Sequence, residues 1–134
     1  MKKWAAAVLC LLFLLLSPAR ELRLASQTGE LALDRAIALT FDDGPRASTT
    51  SRLLDGLAQR GVHATFFLIG EQIPGNEAIV QRLAQEGHQI GVHTYDHIRL
   101  EGESAETVRQ QMARTDRLLT DLLGPGEWWL RPPY

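Results

Sequence analysis

The sequence predicts an α/β fold: a parallel sheet covered by helices on its outside. Three observations carry that expectation. Short, continuously apolar runs alternate with longer helical patterns from residue 36 onward. Those runs lack the in–out alternation of a sheet with one wet face, so they suit strands buried on both faces. The residues with chemical potential, Asp42, Asp43, His93, His97 and Arg131, fall just past the ends of three separate expected strands. That rim is where parallel sheets and barrels gather their sites.

Taken in order, residues 36–41 (Ala-Ile-Ala-Leu-Thr-Phe) read as the first strand and 48–60 as a helix closed by Gly61. A second strand is expected over 64–69. The helix at 76–86 places Ile79, Val80, Leu83 and Ala84 on one face and stops at Gly87. A short strand follows at 89–92. Ser104, with acidic Glu106 close behind, opens a long helix over 104–123 that Gly124 ends. The last strand, 128–130, leads into Arg131-Pro132-Pro133-Tyr134.

Upstream of the fold, Lys2 and Lys3 precede an apolar stretch over 4–16, and Ser17-Pro18-Ala19 offers small residues for cleavage. Residues 1–19 are therefore expected to be a signal peptide and 20–35 a lead-in, with the domain at 36–134. The rival, an uncleaved anchor, needs about 20 apolar residues, and this run falls short. The implied location is secreted or cell-envelope associated, with no stable membrane insertion after cleavage. The single cysteine, Cys10, lies in the apolar run, so neither a disulfide framework nor a thiolate metal site is expected. A length of 134 residues with 45% hydrophobic content suits one domain, and a net charge of −2 gives no basic surface for nucleic acid.

Asp42 and Asp43 leave an apolar strand side by side, where two carboxylates repel each other unless a cation relieves the pair. Alternation along an extended chain should aim them at different sides, one as ligand and one as base. The plainer reading is an acidic turn capping the next helix. His93 and His97 stand four apart, a spacing that presents both imidazoles on one helical turn and recurs in zinc sites. The alternative reading of such a pair, unsupported, is as surface or helix-capping histidines. His63 and His88 lie near glycines at the opposite end of the sheet and read as structural or solvent-exposed.

One aspartate and two histidines make a three-ligand site with an open position, the catalytic arrangement for a divalent metal. Zinc is the default, and cobalt, nickel or manganese also suit the donors. With a carboxylate nearby as base, this is the chemistry of amide or ester hydrolysis. Arg131 can clamp a carboxylate bidentately, and Asp42 is its natural partner. Pro132 and Pro133 stiffen the chain, so the Tyr134 N–H can be held toward a developing oxyanion; alone, this is simply a rigid loop.

With these pieces in place, residues 36–134 resemble the NodB-type polysaccharide deacetylases, carbohydrate esterase family four. Thr-Phe-Asp-Asp-Gly-Pro at 40–45 is similar to that family's first motif, His-Thr-Tyr-Asp-His at 93–97 to its second, and Arg-Pro-Pro-Tyr at 131–134 to the start of its third. The run 64–70 is similar to its second strand. The resemblance implies an irregular (β/α)7 barrel. It also implies Asp42 as base, Asp43, His93 and His97 as metal ligands, Arg131 as tether of the base, and the Tyr134 backbone as oxyanion contributor. The implied reaction removes N-acetyl groups from N-acetylglucosamine-containing polysaccharide, with peptidoglycan ahead of chitin oligomers and acetylated xylan.

The family's barrel continues past the third motif and supplies an aspartate/tryptophan motif and a late histidine acid. The expectation is thus a C-terminally truncated deacetylase domain, with slow hydrolysis and an open sheet edge. Two alternatives stand beside it: a non-catalytic glycan-binding relic, and another metal-dependent amidohydrolase on a related barrel. Trp128 and Trp129 offer either core or a sugar platform, and alternation sends one of them inward.

Overall fold

A computed structural model describes residues 37–134; the expected signal peptide, the lead-in, Cys10 and Ala36 lie outside the described residues. Four strands, β1 (Thr40–Gly44), β2 (Thr65–Leu68), β3 (Gln89–Val92) and β4 (Trp129–Leu130), form one sheet in the order β1-β2-β3-β4. Every pairing is parallel. Between the strands run α1 (Thr50–Ala58), α2 (Glu77–Gln85) and α3 (Ala105–Leu123), with a 3₁₀ turn at Gly70–Gln72. The strand order never reverses, which is the progression of a barrel wall and not of a doubly wound sheet. Among the described residues no helix is long and apolar enough to cross a membrane.

The β2 strand shows why the apolar runs do not alternate. Phe66 and Leu68 enter a cluster with Leu54 and Leu57 of α1, Val80 and Leu83 of α2 and Leu119 of α3. Phe67 points to the other face and is also buried. Its ring lies across Gly91 of β3, where a Cβ would come within 2.6 Å of it. Glycine at 91 thus gives Phe67 its place, and Phe67 in turn floors the Arg131 guanidinium, which stacks 4.1 Å above its centroid.

The largest departures from the expected boundaries are the two ends of the first strand; the other elements start and stop within two residues of expectation. The first strand begins at Thr40, not 36, because its ladder starts only where a partner exists: Thr40 pairs with Thr65, and Ile37 to Leu39 are exposed. It also runs through Asp42 and Asp43 to Gly44 instead of ending before them. The pairing jumps from Phe41↔Phe66 to Gly44↔Leu68, three steps on β1 against two on β2, so one extra residue is accommodated as a bulge. The expected helix at 104–123 is observed; Ser104 Oγ accepts the Thr107 N–H at 3.0 Å, a side-chain cap on its first turn. Trp128 packs against the core, whereas Trp129 is exposed.

Candidate active site

The sheet's own ladder carries the site residues to the rim. His93 N–H donates to Leu68 O at 2.9 Å and Arg131 N–H to Val92 O at 2.9 Å, one residue beyond the ends of β3 and β4. The bulge in β1 does the same for the acidic pair by a different route. Asp43 takes φ 65°, and from there its carboxylate faces the histidines while Asp42 faces Arg131. The divergence expected from simple strand alternation is therefore produced by a kinked backbone.

His93 and His97 are not on a helix, as their spacing suggested. They lie on the loop that follows β3, with Thr94 at φ 64° and His97 at φ 60°. The loop turns back on itself, so the rings meet at a centroid separation of 5.0 Å. The non-glycine residues with positive φ among the described residues are Asp43, Thr94, His97 and Tyr134. Left-handed backbone at β-branched or bulky residues is uncommon and gathers at functional sites, where surrounding contacts hold it in place.

Asp43, His93 and His97 each offer one ligand atom, all within 4.8 Å of one another. Asp43 Oδ1 is 3.1 Å from His97 Nε2 and 3.5 Å from His93 Nε2. Ligands about 2.0–2.2 Å from a tetrahedral zinc ion stand roughly 3.3–3.6 Å apart, so the two Asp43 distances lie within a few tenths of an ångström of what one shared ion needs. The tautomer of His93 follows from its neighbour. Its Nδ1 lies 2.7 Å from Arg131 O; a carbonyl oxygen only accepts, so Nδ1 carries the proton and the Nε2 lone pair is free for the cluster.

Arg131 Nη1 donates to Asp42 Oδ1 at 2.7 Å and to Thr40 Oγ1 at 2.9 Å. The expected two-nitrogen fork is not used, because one nitrogen serves both partners, and Oδ2 of Asp42 is left to other work. Thr40 opens the 40–45 motif without a role of its own in the sequence; its place two residues before Asp42 on β1 is the signal that marks it. The Tyr134 ring stands edge-on to His97 at 5.1 Å, with the Arg99 guanidinium 4.9 Å from its centroid.

The other two histidines stay apart from this site. His88 is buried and its Nδ1 accepts the Ala64 N–H at 3.1 Å, while His63 is exposed beside it. Burial pushes the His88 imidazole below its usual value, against the opposing pull of the Glu86 carboxylate.

Comparison with known proteins decides the family. The polysaccharide deacetylase family model matches residues 32–134. The chain belongs to the polysaccharide deacetylase family. It is 46% identical over 98 residues to a peptidoglycan-N-acetylglucosamine deacetylase of Bacillus cereus, covering 73% of this chain and 36% of that protein. A chitin deacetylase of Pestalotiopsis is 47% identical over 100 residues, covering 72% and 33%. The structure of a family 4 acetyl xylan esterase from Clostridium thermocellum, in complex with a cobalt ion, superposes with a TM-score of 0.69 at 35% identity, over 72% of this chain and 47% of that one. The chain spans about a third of the length of these two relatives.

Proposed function

We propose that residues 36–134 form part of the catalytic domain of an exported, zinc-dependent deacetylase that removes N-acetyl groups from N-acetylglucosamine-containing polysaccharide, peptidoglycan first. The observation that carries this reading is the joint geometry of two neighbouring groups: an Asp43–His93–His97 cluster spaced for one ion, and Asp42 held beside it by Arg131. The relatives act on peptidoglycan and chitin by name, and one solved neighbour is in complex with a cobalt ion. Export and the signal peptide rest on residues 1–19 of the sequence.

When bound, a divalent ion at this cluster supplies Lewis-acid polarisation of the amide carbonyl and activates water for attack. The chain's own residues do the rest. Asp43 Oδ1 and the two Nε2 atoms hold the centre, and the Arg131 carbonyl fixes which nitrogen of His93 faces it. Asp42, anchored through Oδ1, has Oδ2 free to take the proton of the attacking water. The Tyr134 N–H is the donor assigned to the developing oxyanion, and the Tyr134 ring stands edge-on beside His97.

The test is acetate release from N-acetylglucosamine oligomers by the protein carrying these residues. Chelation is expected to abolish release and added zinc to restore it. Release that ignores chelation, or glycan binding with no acetate under any metal, overturns the reading; the second outcome selects the non-catalytic glycan-binding alternative.

A further inference from the structure

Helix α3 touches the site loop with side chains that the chemistry above does not use. Its buried stripe contains Gln111, Thr115 and Leu119, four residues apart. Leu119 is ordinary core. Gln111 and Thr115 are polar at positions where a leucine would pack, and both are almost wholly buried, at 6% and 0% exposure. A buried polar side chain costs stability unless its hydrogen bonds are made, so its partners show its purpose.

Those partners lie in the loop between the two histidines. Gln111 Oε1 accepts the Tyr95 N–H at 2.8 Å and the Asp96 N–H at 3.2 Å. Thr115 Oγ1 lies 3.2 Å from both Thr94 O and Gln111 O and shares its one proton between them. Arg114, on the same helical face, stacks its guanidinium 3.4 Å from the Tyr95 ring centroid. On the loop's other side, Gly70 and Glu71 donate their N–H groups to Thr94 O and Tyr95 O at 3.1 and 2.8 Å. A Cβ at Gly70 would collide with Thr115 and with the Tyr95 ring, so these parts close on one another without slack. Every residue between His93 and His97 is thereby gripped by its backbone, and the positive φ of Thr94 has a physical cause.

We infer that Gln111, backed by Thr115, is a positioning residue for the metal centre: it fixes the 93–97 loop in the one conformation that brings both Nε2 atoms to Asp43. The inference rests on the ligand assignment proposed above. Gln111 acts through the Tyr95 and Asp96 amides. Removing the acceptor takes the partner from two partly buried N–H groups, which the loop relieves by moving toward water, and His97 moves with it.

The experiment compares Gln111→Met, which keeps length and removes the acceptor, with Gln111→Glu, which keeps an acceptor oxygen. Zinc alone is titrated into each by calorimetry, and melting of the metal-free forms is followed in parallel. Outer contacts of this kind are typically worth about 10–100-fold in metal affinity. Gln111→Met is expected to weaken zinc binding by that factor and Gln111→Glu to restore most of it. Should Gln111→Met fail to fold, Thr115→Val gives the same readout with a near-isosteric change. A lower melting temperature with unchanged zinc affinity makes the role merely structural and overturns the inference. His97→Ala, run alongside, separates the two ways of failing. Undiminished binding there overturns the ligand assignment itself, whereas lost binding there with full affinity in Gln111→Met overturns the positioning role alone.

Discussion

At the C-terminal rim of the sheet His93 and His97 face Asp43, and at the opposite end His88 lies 3.7 Å from Glu86 with His63 beside it. Both pairs couple imidazole to carboxylate, yet the backbone sets them up for opposite work. His93 Nδ1 meets a carbonyl oxygen, keeps its proton there and turns a lone pair toward the cluster. His88 Nδ1 meets an N–H, must act as acceptor, and so carries its proton on Nε2, the atom a metal would need. The lesson is that ligand competence lies in the second nitrogen's partner and not in the histidine or its nearby acid.

The largest effect that sharpens this contrast belongs to Asp42. Asp42→Asn keeps shape but removes the proposed base; acetate release should fall by about 10²–10⁴-fold while zinc affinity stays as it was. Parallel kinetics and calorimetry check it, and a joint loss would place Asp42 among the ligands. Next is Arg131→Lys, which keeps charge but shortens the reach to Asp42 and Thr40. A charged hydrogen bond is worth about 1.5–3 kcal/mol when dry, and this pair is partly exposed, so roughly tenfold in kcat is expected.

At the other end, His88 predicts a pH effect on stability. Its folded value is depressed by burial, so its contribution is complete above the ordinary imidazole value and declines as pH falls through about 6.5 toward the folded value. Glu86 opposes that shift; His63 and Arg82 reinforce it. Melting curves across this range should slope less in His88→Asn, which retains an acceptor for the Ala64 N–H. An unchanged slope would remove His88 from the account. The smallest effect is His63→Gln, an exposed change expected to alter stability by under about 0.5 kcal/mol and zinc binding not at all.

Much of this was legible in the sequence because it depends on pattern. The order of strands and helices, the buried double-faced β2 and the grouping of Asp42, Asp43, His93, His97 and Arg131 on one rim follow from apolar runs and where they stop. What escaped were features set by backbone geometry. The bulge that splits Asp42 from Asp43 and the left-handed turn that joins His93 to His97 leave no periodic trace, and four-residue spacing imitated a helix. Gln111 and Thr115 left a faint signal: two polar residues on the stripe of α3 that continues to Leu119. Reading it required knowing what that stripe packs against.

The most direct test of the contrast between the two ends is zinc calorimetry on three proteins: the unaltered chain, a His93→Ala/His97→Ala double variant, and a His63→Gln/His88→Asn double variant. One-to-one binding that vanishes in the first variant and persists in the second is the expected result. Binding that survives loss of His93 and His97, or disappears with His63 and His88, would contradict the account.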